Sequence, residues 1–350
     1  MMTDAEPVRV AIIGCGQIGA MWDSPQSTAP ALTHAAGFSR IPGAQLCAFC
    51  DTDLARAQQA AARWGVAHAY DDVAQMLQQQ RPHIVTIAAA TQARMRILQP
   101  LLGQGVRLLV LEKPLAATLE ESQAVVHALQ QAGQAALVNY SRNWDSALQT
   151  LFAHIRARRW GQIQRLQAWY GKGLSNNGSH MIDLVCQLLQ AQVVRVRASC
   201  APLPPEEAQW SAGAGQSADL ALDCSLEYGD GAQQWRLDML ATDQRDFTCF
   251  ELRIILQQAI IDISQGGRAI SLRAVQDDPH YANYRIPGPA QEIAGSTLDA
   301  MQNMAQQAFD WVRGSSEKLA CAPEQALQVA HTVHALKRSA ATESGNWIAL

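Results

Sequence analysis

The amino-acid sequence predicts an α/β protein of two domains, residues 1–140 and 141–350. The first half alternates apolar runs with helical stretches, as expected of a parallel sheet covered by helices on both faces. The second half carries runs of alternating polarity joined by short turns, which is typical of an antiparallel sheet. The chain of 350 residues with 48% hydrophobic residues provides enough material for two cores.

The first half is predicted to contain five strands, each a nearly continuous apolar run. They cover residues 8–13, 45–50, 83–90, 106–112 and 135–140. Helices are predicted between them at 54–65, 73–80, 94–105 and 119–133. Three glycines stand just past helix ends, where a left-handed cap favours glycine: Gly65, Gly105 and Gly133. Thr118 and Glu121 form a capping-box pattern at the start of the last helix.

The second half is predicted to contain six strands and two closing helices. The strands cover residues 163–171, 193–200, 218–228, 233–242, 248–256 and 259–264. Turn sequences such as YGDGAQ and SQGGRA separate them. The helices cover 296–313 and 323–340, and Pro323 favours the start of the second.

Composition excludes several classes of function. A net charge of −4 and a pI near 6.1 provide no basic surface for nucleic acid. The sequence has no apolar run of 18 residues, so we expect no membrane span. The first residues lack the basic-then-apolar pattern of a secretion signal, and the eight cysteines are scattered, as expected of reduced thiols. These observations predict a cytoplasmic protein.

Two candidate metal or redox patterns have ordinary explanations. Cys47 and Cys50 form C-x-x-C, but side chains three apart on a strand point to opposite faces, so we interpret them as small buried residues. His331 and His334 lie three apart on the last helix without a third ligand in the pattern, and we interpret them as surface or packing histidines. We predict no metal site.

A glycine pattern, GCGQIG at 14–19, follows the first strand. Its spacing, G-x-G-x-x-G, is typical of a turn that binds a dinucleotide. Gly14 permits the tight turn, Gly16 lets a pyrophosphate approach the backbone, and Gly19 lets the helix pack against the strand. The intervening Gln17 and Ile18 begin a helix whose first N–H groups face the phosphates. An accidental match is the alternative, but the strand pattern that follows argues against it.

Asp51, directly after the second strand, is the predicted ligand of the adenosine ribose hydroxyls. Its carboxylate would repel a 2′-phosphate, and no arginine follows immediately, so we favour NAD over NADP as the cofactor. Asp53 is better placed to start the next helix. The interval from Gly19 to Asp51 is longer than usual, and we interpret the Pro-, Ser- and Thr-rich segment 22–33 as a surface insertion.

Further motifs make a family resemblance visible. They are THAAGF at 33–38, CD at 50–51, LEKPL at 111–115 and GSHMIDLVCQLL at 178–189. With GCGQIG, this set resembles the Gfo/Idh/MocA oxidoreductases, the glucose–fructose oxidoreductase and inositol dehydrogenase family. The resemblance implies an N-terminal Rossmann domain and a C-terminal α/β domain with a large, open, mostly antiparallel sheet. It also implies hydride transfer between NAD(P) and a sugar or polyol carbon, and homodimers or homotetramers.

Lys113 and His180 are the predicted catalytic residues. Lys113 follows a parallel strand at the end where ligands bind in such sheets, and the family's lysine here touches cofactor and substrate. Pro114 fixes the backbone beside it, and the Lys113–Pro114 bond is a candidate for the cis form. His180 opens a helix on which it shares a polar stripe with Asp183 and Gln187. The alternatives are a surface lysine and a buried structural histidine.

The chain departs from the family pattern at two places. Many members carry an aspartate four residues before the histidine, but this chain has Asn176. Since an amide cannot act as a base, proton transfer is left to Lys113 and His180. The second departure is Thr91-Gln92 after the third strand, where the family usually has Thr-Pro and a later histidine.

The predicted site residues form two sets. The expected cofactor contacts are Gly14, Gly16, Gln17, Ile18, Gly19, Asp51, Thr91, Glu112 and Lys113. The expected substrate contacts are Lys113, Tyr140, Arg142, Lys172, Asn176, Asn177 and His180. The cations Arg142 and Lys172 would suit an anionic substrate such as a nucleotide sugar.

The resemblance leaves three functions open. The favoured one is an NAD-dependent dehydrogenase or reductase that acts on a CH–OH carbon of a sugar, polyol or nucleotide sugar. The alternatives are an NAD-dependent glycosidase of the same family and a non-catalytic dinucleotide-binding regulator, which the loss of a carboxylate at Asn176 would suit. Lys113 and His180 argue for an enzyme. We also expect the antiparallel sheet to present an apolar face that a homo-oligomer covers.

Overall fold

The computed structural model describes residues 6–204, 209–210, 219–243, 247–342 and 346–350. The chain forms two compact units. The first ends at Trp144 and regains Leu298–Leu327, whereas the second comprises Asp145–Thr297 and Gln328–Leu350. The predicted boundary, 140/141, lies close to the first crossing, but the sequence pattern did not indicate that a later segment returns to the first unit.

The first unit contains a parallel sheet, as predicted, with six strands instead of the five expected. Its strands are β1 Val8–Ile13, β2 Ala44–Cys50, β3 Ala69–Tyr70, β4 Ile84–Ile87, β5 Leu108–Glu112 and β6 Ala136–Asn139. Their order is β3-β2-β1-β4-β5-β6. In β1, β4 and β6 the side chains are buried almost throughout, because helices cover both faces of a parallel sheet. The short β3 is the strand that the sequence prediction missed.

The helices of this unit largely follow the predicted periodicity. They are α1 His34–Ser39, α2 Leu54–Trp64, α3 Val73–Gln80, α4 Arg94–Leu98 and α5 Leu119–Gln131. Gly65 caps α2 in the left-handed region, and Thr118 and Glu121 form the predicted capping box of α5. Helix α4 is shorter than predicted, because it continues as a 3-10 turn, Gln99–Leu101, that contains Pro100.

A small-residue contact explains why the chain returns to the first unit. Helix α8, Ala300–Arg313, packs against α1 at Gly37. A Cβ at Gly37 would lie 3.1 Å from the carbonyl oxygen of Met301, so a larger residue would separate the helices. Asn303 and Gln307 of α8 also hydrogen-bond Trp144, the last residue before the chain leaves the unit.

The second unit is built on a ten-stranded sheet, mostly antiparallel as predicted. Its strands are β7 Ile163–Tyr170, β8 Gln192–Cys200, β11 Leu222–Gly229, β12 Gln234–Ala241, β13 Phe250–Leu256, β14 Ala259–Ser264, β15 Ala269–Asp277, β16 Arg285–Pro287, β17 Gln291–Ala294 and β18 Ile348–Ala349. A separate hairpin pairs β9 Gln209–Trp210 with β10 Asp219–Leu220. The order is β16-β15-β14-β13-β7-β12-β11-β8-β18, with β17 on β15, and β7 and β12 pair in parallel.

Six of these strands agree with the predicted ones, although residue 218 of the run 218–228 lies outside the described residues. The prediction missed β15 to β18 and helix α6, Ser146–Arg156. The other helices of the unit are α7 Ser179–Leu189 and α9 Pro323–Ala340, of which the predicted start and end of α9 are confirmed. Residues Thr297–Asp299 form a 3-10 turn, so α8 starts later than predicted.

The face of the large sheet opposite its buried side carries charged pairs. Strands β11, β13 and β14 alternate strictly between buried and half-buried residues. The half-buried positions hold cross-strand pairs, among them Arg253 with Asp262 and Arg195 with Glu227. The outer face is therefore mixed rather than uniformly apolar as we expected, because Ile255 and Ile260 share these half-buried positions with arginines and carboxylates.

Asp145 connects the start of α6 to the end of the strand region. This fully buried carboxylate accepts hydrogen bonds from the Leu148 N–H, the Ser296 hydroxyl and the Thr297 hydroxyl. It therefore caps a helix and also ties two segments that are about 150 residues apart in sequence.

We predict that Asp145→Ala lowers the free energy of unfolding of the second unit by about 3 kcal/mol, because buried donors lose a charged acceptor. Asp230→Ala is the control, since exposed Asp230 accepts only two backbone N–H bonds in a turn of the same unit. Urea unfolding followed by hydrogen exchange of β11 and α6 amides measures both. Equal losses for the two variants would contradict the proposed role of Asp145.

Candidate functional site

The glycine turn after β1 has the geometry that the dinucleotide pattern requires. Gly14 adopts φ = +93°, and a Cβ there would collide with the backbone of Ala89. A Cβ at Gly19 would collide with the carbonyl oxygen of Gly14. At Gly16, by contrast, a Cβ would meet nothing within 4 Å. The chain itself therefore leaves open the space in which a pyrophosphate would approach the backbone.

The helix that follows this turn is shorter than expected. Gln17–Met21 forms a single π-helical turn, and its first N–H groups have no intrahelical acceptors. Gln17 and Ile18 stand in this turn, as predicted. The inserted segment 22–33 then forms a mostly exposed loop, which includes Trp22 with 59% of its surface accessible.

A buried aspartate closes this loop at its base. Oδ2 of Asp23 accepts hydrogen bonds of 2.7 Å from the N–H groups of Leu32 and Thr33. The Asp23 carbonyl in turn accepts a bond from Arg63 Nε. The two ends of the loop are thus held together, and Thr33 caps α1 directly after it.

Asp51 stands at the carboxyl end of β2, where the ribose ligand was predicted. Its Oδ2 accepts a hydrogen bond of 2.9 Å from the Cys15 N–H, which fixes the carboxylate against the glycine turn. Its Oδ1 accepts from the Asp53 N–H and lies 3.4 Å from Nη1 of Arg56. Asp53 caps α2, as predicted. The sequence did not indicate Arg56, because it stands five residues after Asp51.

Glu112, at the end of β5, belongs to a network of buried side chains. Its Oε1 accepts hydrogen bonds from Nε2 of His34 at 2.9 Å and from Nδ2 of Asn139 at 2.6 Å. Burial alone would raise the pKa of Glu112, but the two hydrogen bonds and the nearby positive charge of Lys113 outweigh it, so the pKa is lowered. His34 lies in the quoted THAAGF motif, but the sequence did not indicate its partner.

The main chain around Lys113 is held by Arg94, a buried arginine at the start of α4. The guanidinium donates to the carbonyl oxygens of Ile87 and Glu112 at 2.8 and 2.5 Å. The Lys113–Pro114 bond is cis, as the sequence allowed. Lys113 is half-buried, and Thr91 begins the 3-10 turn that leads into Arg94.

The predicted substrate residues of the second unit lie on one connected segment. Lys172 adopts φ = +63°, and Gly173–Gly178 forms a π-helical turn that runs directly into α7. The N–H of Asn176 donates to Asp219 Oδ2 at 3.0 Å, and the Ser175 hydroxyl donates to Asp219 Oδ1 at 2.9 Å. Asp219 therefore fixes the segment on which Asn176 and Asn177 stand, a role that the sequence did not reveal.

His180 is more buried than the predicted polar stripe suggested. Only 8% of its surface is accessible, and Asp183 on the next turn is also buried. Gln187 Nε2 donates to Asp183 Oδ2 at 2.6 Å. The stripe is therefore an interior row of polar side chains, since α7 is covered nearly all round. Whether His180 exchanges protons remains a prediction.

Two other predicted substrate residues end the first unit. Tyr140 is buried, and Arg142 is half-buried in the 3-10 turn Ser141–Trp144. Tyr140 is one of the largest buried side chains, so a packing role accounts for it as well as a substrate contact does. The first unit thus brings together Gly14, Gly16, Asp51, Glu112 and Lys113 at the carboxyl ends of its strands.

The described residues hold no group of three or more His, Cys, Asp or Glu side chains arranged to bind a metal. Burial raises the pKa of Cys47 to about 11 and that of Cys50 to about 12, which disfavours thiolate chemistry there. In the described part of the chain, each helix is too short or too polar to span a bilayer.

The Glu112 network generates a prediction about pH. Because the pKa of Glu112 is lowered in the folded protein, its stabilisation is present above about pH 4.3, the ordinary glutamate value, and is lost as pH falls further. Asn139→Leu removes one bond to the carboxylate. We predict a loss of about 2 kcal/mol at neutral pH that shrinks as the pH falls below about 4.3 and the carboxylate takes up its proton.

Thermal unfolding between pH 3.5 and 7 measures this effect. The control is Gln134→Leu, because Gln134 donates to the neutral carbonyls of Val106 and Ala135, so its loss should not change with pH. If the two variants run parallel to each other across the pH range, the charge on Glu112 does not contribute to stability.

Comparisons with known proteins agree with this geometry. Residues 8–140 match the family model described as "Oxidoreductase family, NAD-binding Rossmann fold". The chain is 29% identical over 154 residues to a D-apiose dehydrogenase from Paraburkholderia graminis, which covers 44% of this chain and 38% of that protein. It is 32% identical over 162 residues to an inositol 2-dehydrogenase from Arthrobacter, covering 46% and 44%. The matches thus span about two fifths of these relatives.

Solved structures share the fold over the whole chain. One is an oxidoreductase from Agrobacterium radiobacter in complex with NAD+, L-tartaric acid and magnesium, with TM-score 0.72 and 17% identity over 98% of both chains. Another is an inositol dehydrogenase homolog from Azotobacter vinelandii complexed with NADH and myo-inositol, with TM-score 0.72 and 16% identity over 99% and 98% of the two chains. With its glycine turn and its Glu112-Lys113-Pro114 motif, the region 8–140 is similar to the Gfo/Idh/MocA oxidoreductases and their NAD-binding Rossmann fold.

Proposed function

We propose that this protein is an NAD-dependent oxidoreductase that transfers a hydride between nicotinamide and a CH–OH or carbonyl carbon of a sugar, polyol or nucleotide sugar. The observation that carries the proposal is the open space at Gly16, between the tight turn at Gly14 and the fixed carboxylate of Asp51. The named relatives, a D-apiose dehydrogenase and an inositol 2-dehydrogenase, support a polyhydroxylated substrate.

The charges around Asp51 support NAD rather than NADP. Asp51 would hold the ribose hydroxyls, and its carboxylate repels a 2′-phosphate. Arg56 is the nearby cation, but it lies between two carboxylates, 3.4 Å from Asp51 and 3.5 Å from Asp53. Its charge is therefore already offset, and the cluster retains a net negative charge that disfavours a second phosphate.

We propose that Lys113 and His180 are the catalytic residues. When NAD is bound, its nicotinamide ring accepts or returns the hydride. Lys113, as a cation, would orient the reacting oxygen and stabilise negative charge on it. His180 would exchange the hydroxyl proton, since a histidine titrates near neutral pH. Tyr140, Arg142, Lys172 and Asn177 are proposed substrate contacts, and Thr91 and Glu112 are proposed to line the cofactor.

Asn176 has only a positioning role in this proposal. Its amide can donate and accept hydrogen bonds but cannot act as a base. Asp219, which lies beside it, accepts bonds from the Asn176 N–H and the Ser175 hydroxyl and forms an ion pair with Lys337 at 3.7 Å. A carboxylate engaged in this way is a structural anchor and does not replace the missing family aspartate.

We further propose a homodimer or homotetramer in the cytoplasm. Ile255 and Ile260 share the half-buried face of the large sheet with charged pairs such as Arg253 and Asp262, and we propose that this mixed surface forms the interface. Arg195 and Arg236 both lie within 6 Å of the Trp347 ring, which concentrates cations and an indole on this face. Light scattering at micromolar concentration tests the assembly, and a monomer would exclude it.

We predict that Gly16→Val abolishes NADH binding and leaves the fold intact. Gly16 has φ = −78°, which any residue adopts, and the side chain would enter open space. Gly14→Ala is the contrast, because positive φ and the Ala89 backbone make it destabilising. NADH fluorescence titration and thermal unfolding measure the two effects. If Gly16→Val binds NADH like the wild type, the turn does not hold the cofactor.

We predict that His180→Ala lowers turnover by about two to four powers of ten, the usual worth of general acid–base catalysis, while NADH affinity stays nearly unchanged. Lys113→Ala should reduce both turnover and substrate affinity, and Asn176→Ala should cost less than either. The measurement is NADH absorbance with a panel of sugars, polyols and nucleotide sugars. Exposed His127→Ala and Lys318→Ala are the controls.

The outcome of this panel separates the candidate functions. Turnover on a sugar or polyol supports the proposal, whereas release of an aglycone would indicate a glycosidase. NADH binding without turnover on any member would favour a regulator. If Asn176→Ala is the most damaging of the three site variants, the division of roles is wrong. If His180→Ala keeps wild-type turnover, that histidine is structural.

A further inference from the structure

We propose that Arg94 is a positioning residue that holds the Glu112-Lys113-Pro114 turn in the geometry required for hydride transfer. This inference rests on the proposed function, since it assigns Arg94 a role through Lys113. Arg94 follows the Thr91–Ala93 turn, where the chain departs from the family pattern. The departure therefore falls at the start of the helix that supplies the guanidinium.

The guanidinium of Arg94 binds main-chain oxygens on two adjacent strands. Nη1 donates to Ile87 at the end of β4, at 2.8 Å, and Nη2 donates to Glu112 at the end of β5, at 2.5 Å. Nε lies 3.3 Å from the Leu115 oxygen, and Nη2 lies 3.4 Å from that of Pro114. The carbonyl groups of the residues directly before and after Lys113 thus both contact the Arg94 guanidinium.

The chemical state of Arg94 supports a role other than charge pairing. The side chain is 2% exposed, and among the described residues no carboxylate lies within ion-pair distance of it. Burial lowers its pKa to about 10, against the opposing effect of Glu112, so it is still protonated at neutral pH. A buried cation without a paired carboxylate is costly, and the backbone dipoles that it binds offset that cost.

The geometry of the guanidinium explains why arginine is suited to this position. Its donors lie in a fixed plane on three nitrogens, so one side chain can reach the ends of two strands at once. A lysine has its donors on a single nitrogen and cannot span Ile87, Glu112 and Leu115 together. Without Arg94, the Lys113 turn would lose the guanidinium that links the Glu112 carbonyl to the Ile87 carbonyl at the end of β4.

The consequence for catalysis is a misplaced Lys113. A displacement of about 1 Å from the productive geometry can cost about a hundredfold in rate. We therefore expect Arg94→Met to lower kcat about a hundredfold and to change KM for NAD+ by less than threefold, because the proposed cofactor contacts at the glycine turn and Asp51 lie on other strands. The kcat of Arg94→Lys should lie between those of the wild type and Arg94→Met, since lysine keeps the positive charge but lacks the forked donors of the guanidinium.

The experiment compares Arg94→Met, Arg94→Lys and Arg94→Ala with Arg96→Met, an exposed arginine two residues further along the same helix. Circular dichroism and NADH titration first establish that each variant folds and binds cofactor. Steady-state kinetics then uses a sugar that the wild type turns over. Guanidinium chloride is then added to Arg94→Ala at low millimolar concentration. We expect it to raise the kcat of this variant at least tenfold. The same addition should leave Lys113→Ala unchanged.

A second readout does not depend on turnover. Limited acetylation with acetic anhydride, followed by peptide mass spectrometry, gives the labelling rate of Lys113 relative to exposed Lys318. In the wild type we expect NADH to slow the labelling of Lys113, and in Arg94→Met this protection should fall at least threefold at saturating NADH. This readout applies even if no sugar is turned over, in which case the proposed function fails while the role of Arg94 is still tested.

Three results would overturn the inference. The first is a folded Arg94→Met that keeps kcat within twofold of the wild type and full NADH protection of Lys113. The second is a loss of kcat in Arg96→Met equal to that in Arg94→Met. The third applies if Arg94→Met does not fold. In that case, an Arg94→Lys variant with wild-type kcat and wild-type protection of Lys113 by NADH would show that the forked guanidinium donors are unnecessary.

Discussion

The carboxyl ends of the parallel strands in the first unit are tied to one another, and the candidate site depends on these ties. Asp51 joins the end of β2 to the residues after β1, through the Cys15 N–H. The Ala88 N–H joins β4 to β1 by donating to Ile13. Arg94 joins β4 to β5, and Asn139 joins β6 to β5. Each neighbouring pair, from β2 to β6, thus has its own connection at the edge where ligands bind in such folds.

In these connections, polar groups lose their hydrogen bonds to water and gain hydrogen bonds to fixed partners in the protein. Buried polar groups are costly unless their hydrogen bonds are made, so each tie contributes only modestly to net stability. Their larger effect is on order, because a guanidinium or carboxylate with several fixed partners has few alternative positions. Glu112 combines both effects, since its side chain is held by His34 and Asn139 while its carbonyl is held by Arg94. The carboxyl end of β5 therefore has fixed partners on both its side chain and its main chain.

The sequence predicted the fold better than it predicted these ties. The apolar runs identified β1, β2 and β4 to β6 because a doubly covered strand has few polar positions, and the glycine spacing located the turn at Gly14. Bonds over long sequence separations leave no local pattern, so His34, Arg94, Asn139 and Asp219 were not assigned partners. The short strands β16 to β18 are too brief for alternation to be read, and α6 was hidden because its start is set by Asp145 and the distant Ser296. The outer face of the large sheet shows a different limit of prediction from sequence. Alternation identifies the two faces of a strand, but it does not show whether the outer face is apolar.

The loop that Asp23 closes is a separate structural segment beside the glycine turn. The N–H groups of Leu32 and Thr33 donate hydrogen bonds to the Asp23 carboxylate. The loop between Asp23 and Leu32 therefore begins and ends at nearly the same point. The entropy of closing such a loop grows only with the logarithm of its length, by about 0.6 kcal/mol for each doubling. Segments of different length and composition can therefore be exchanged at 24–31 at little energetic cost to β1 or α1.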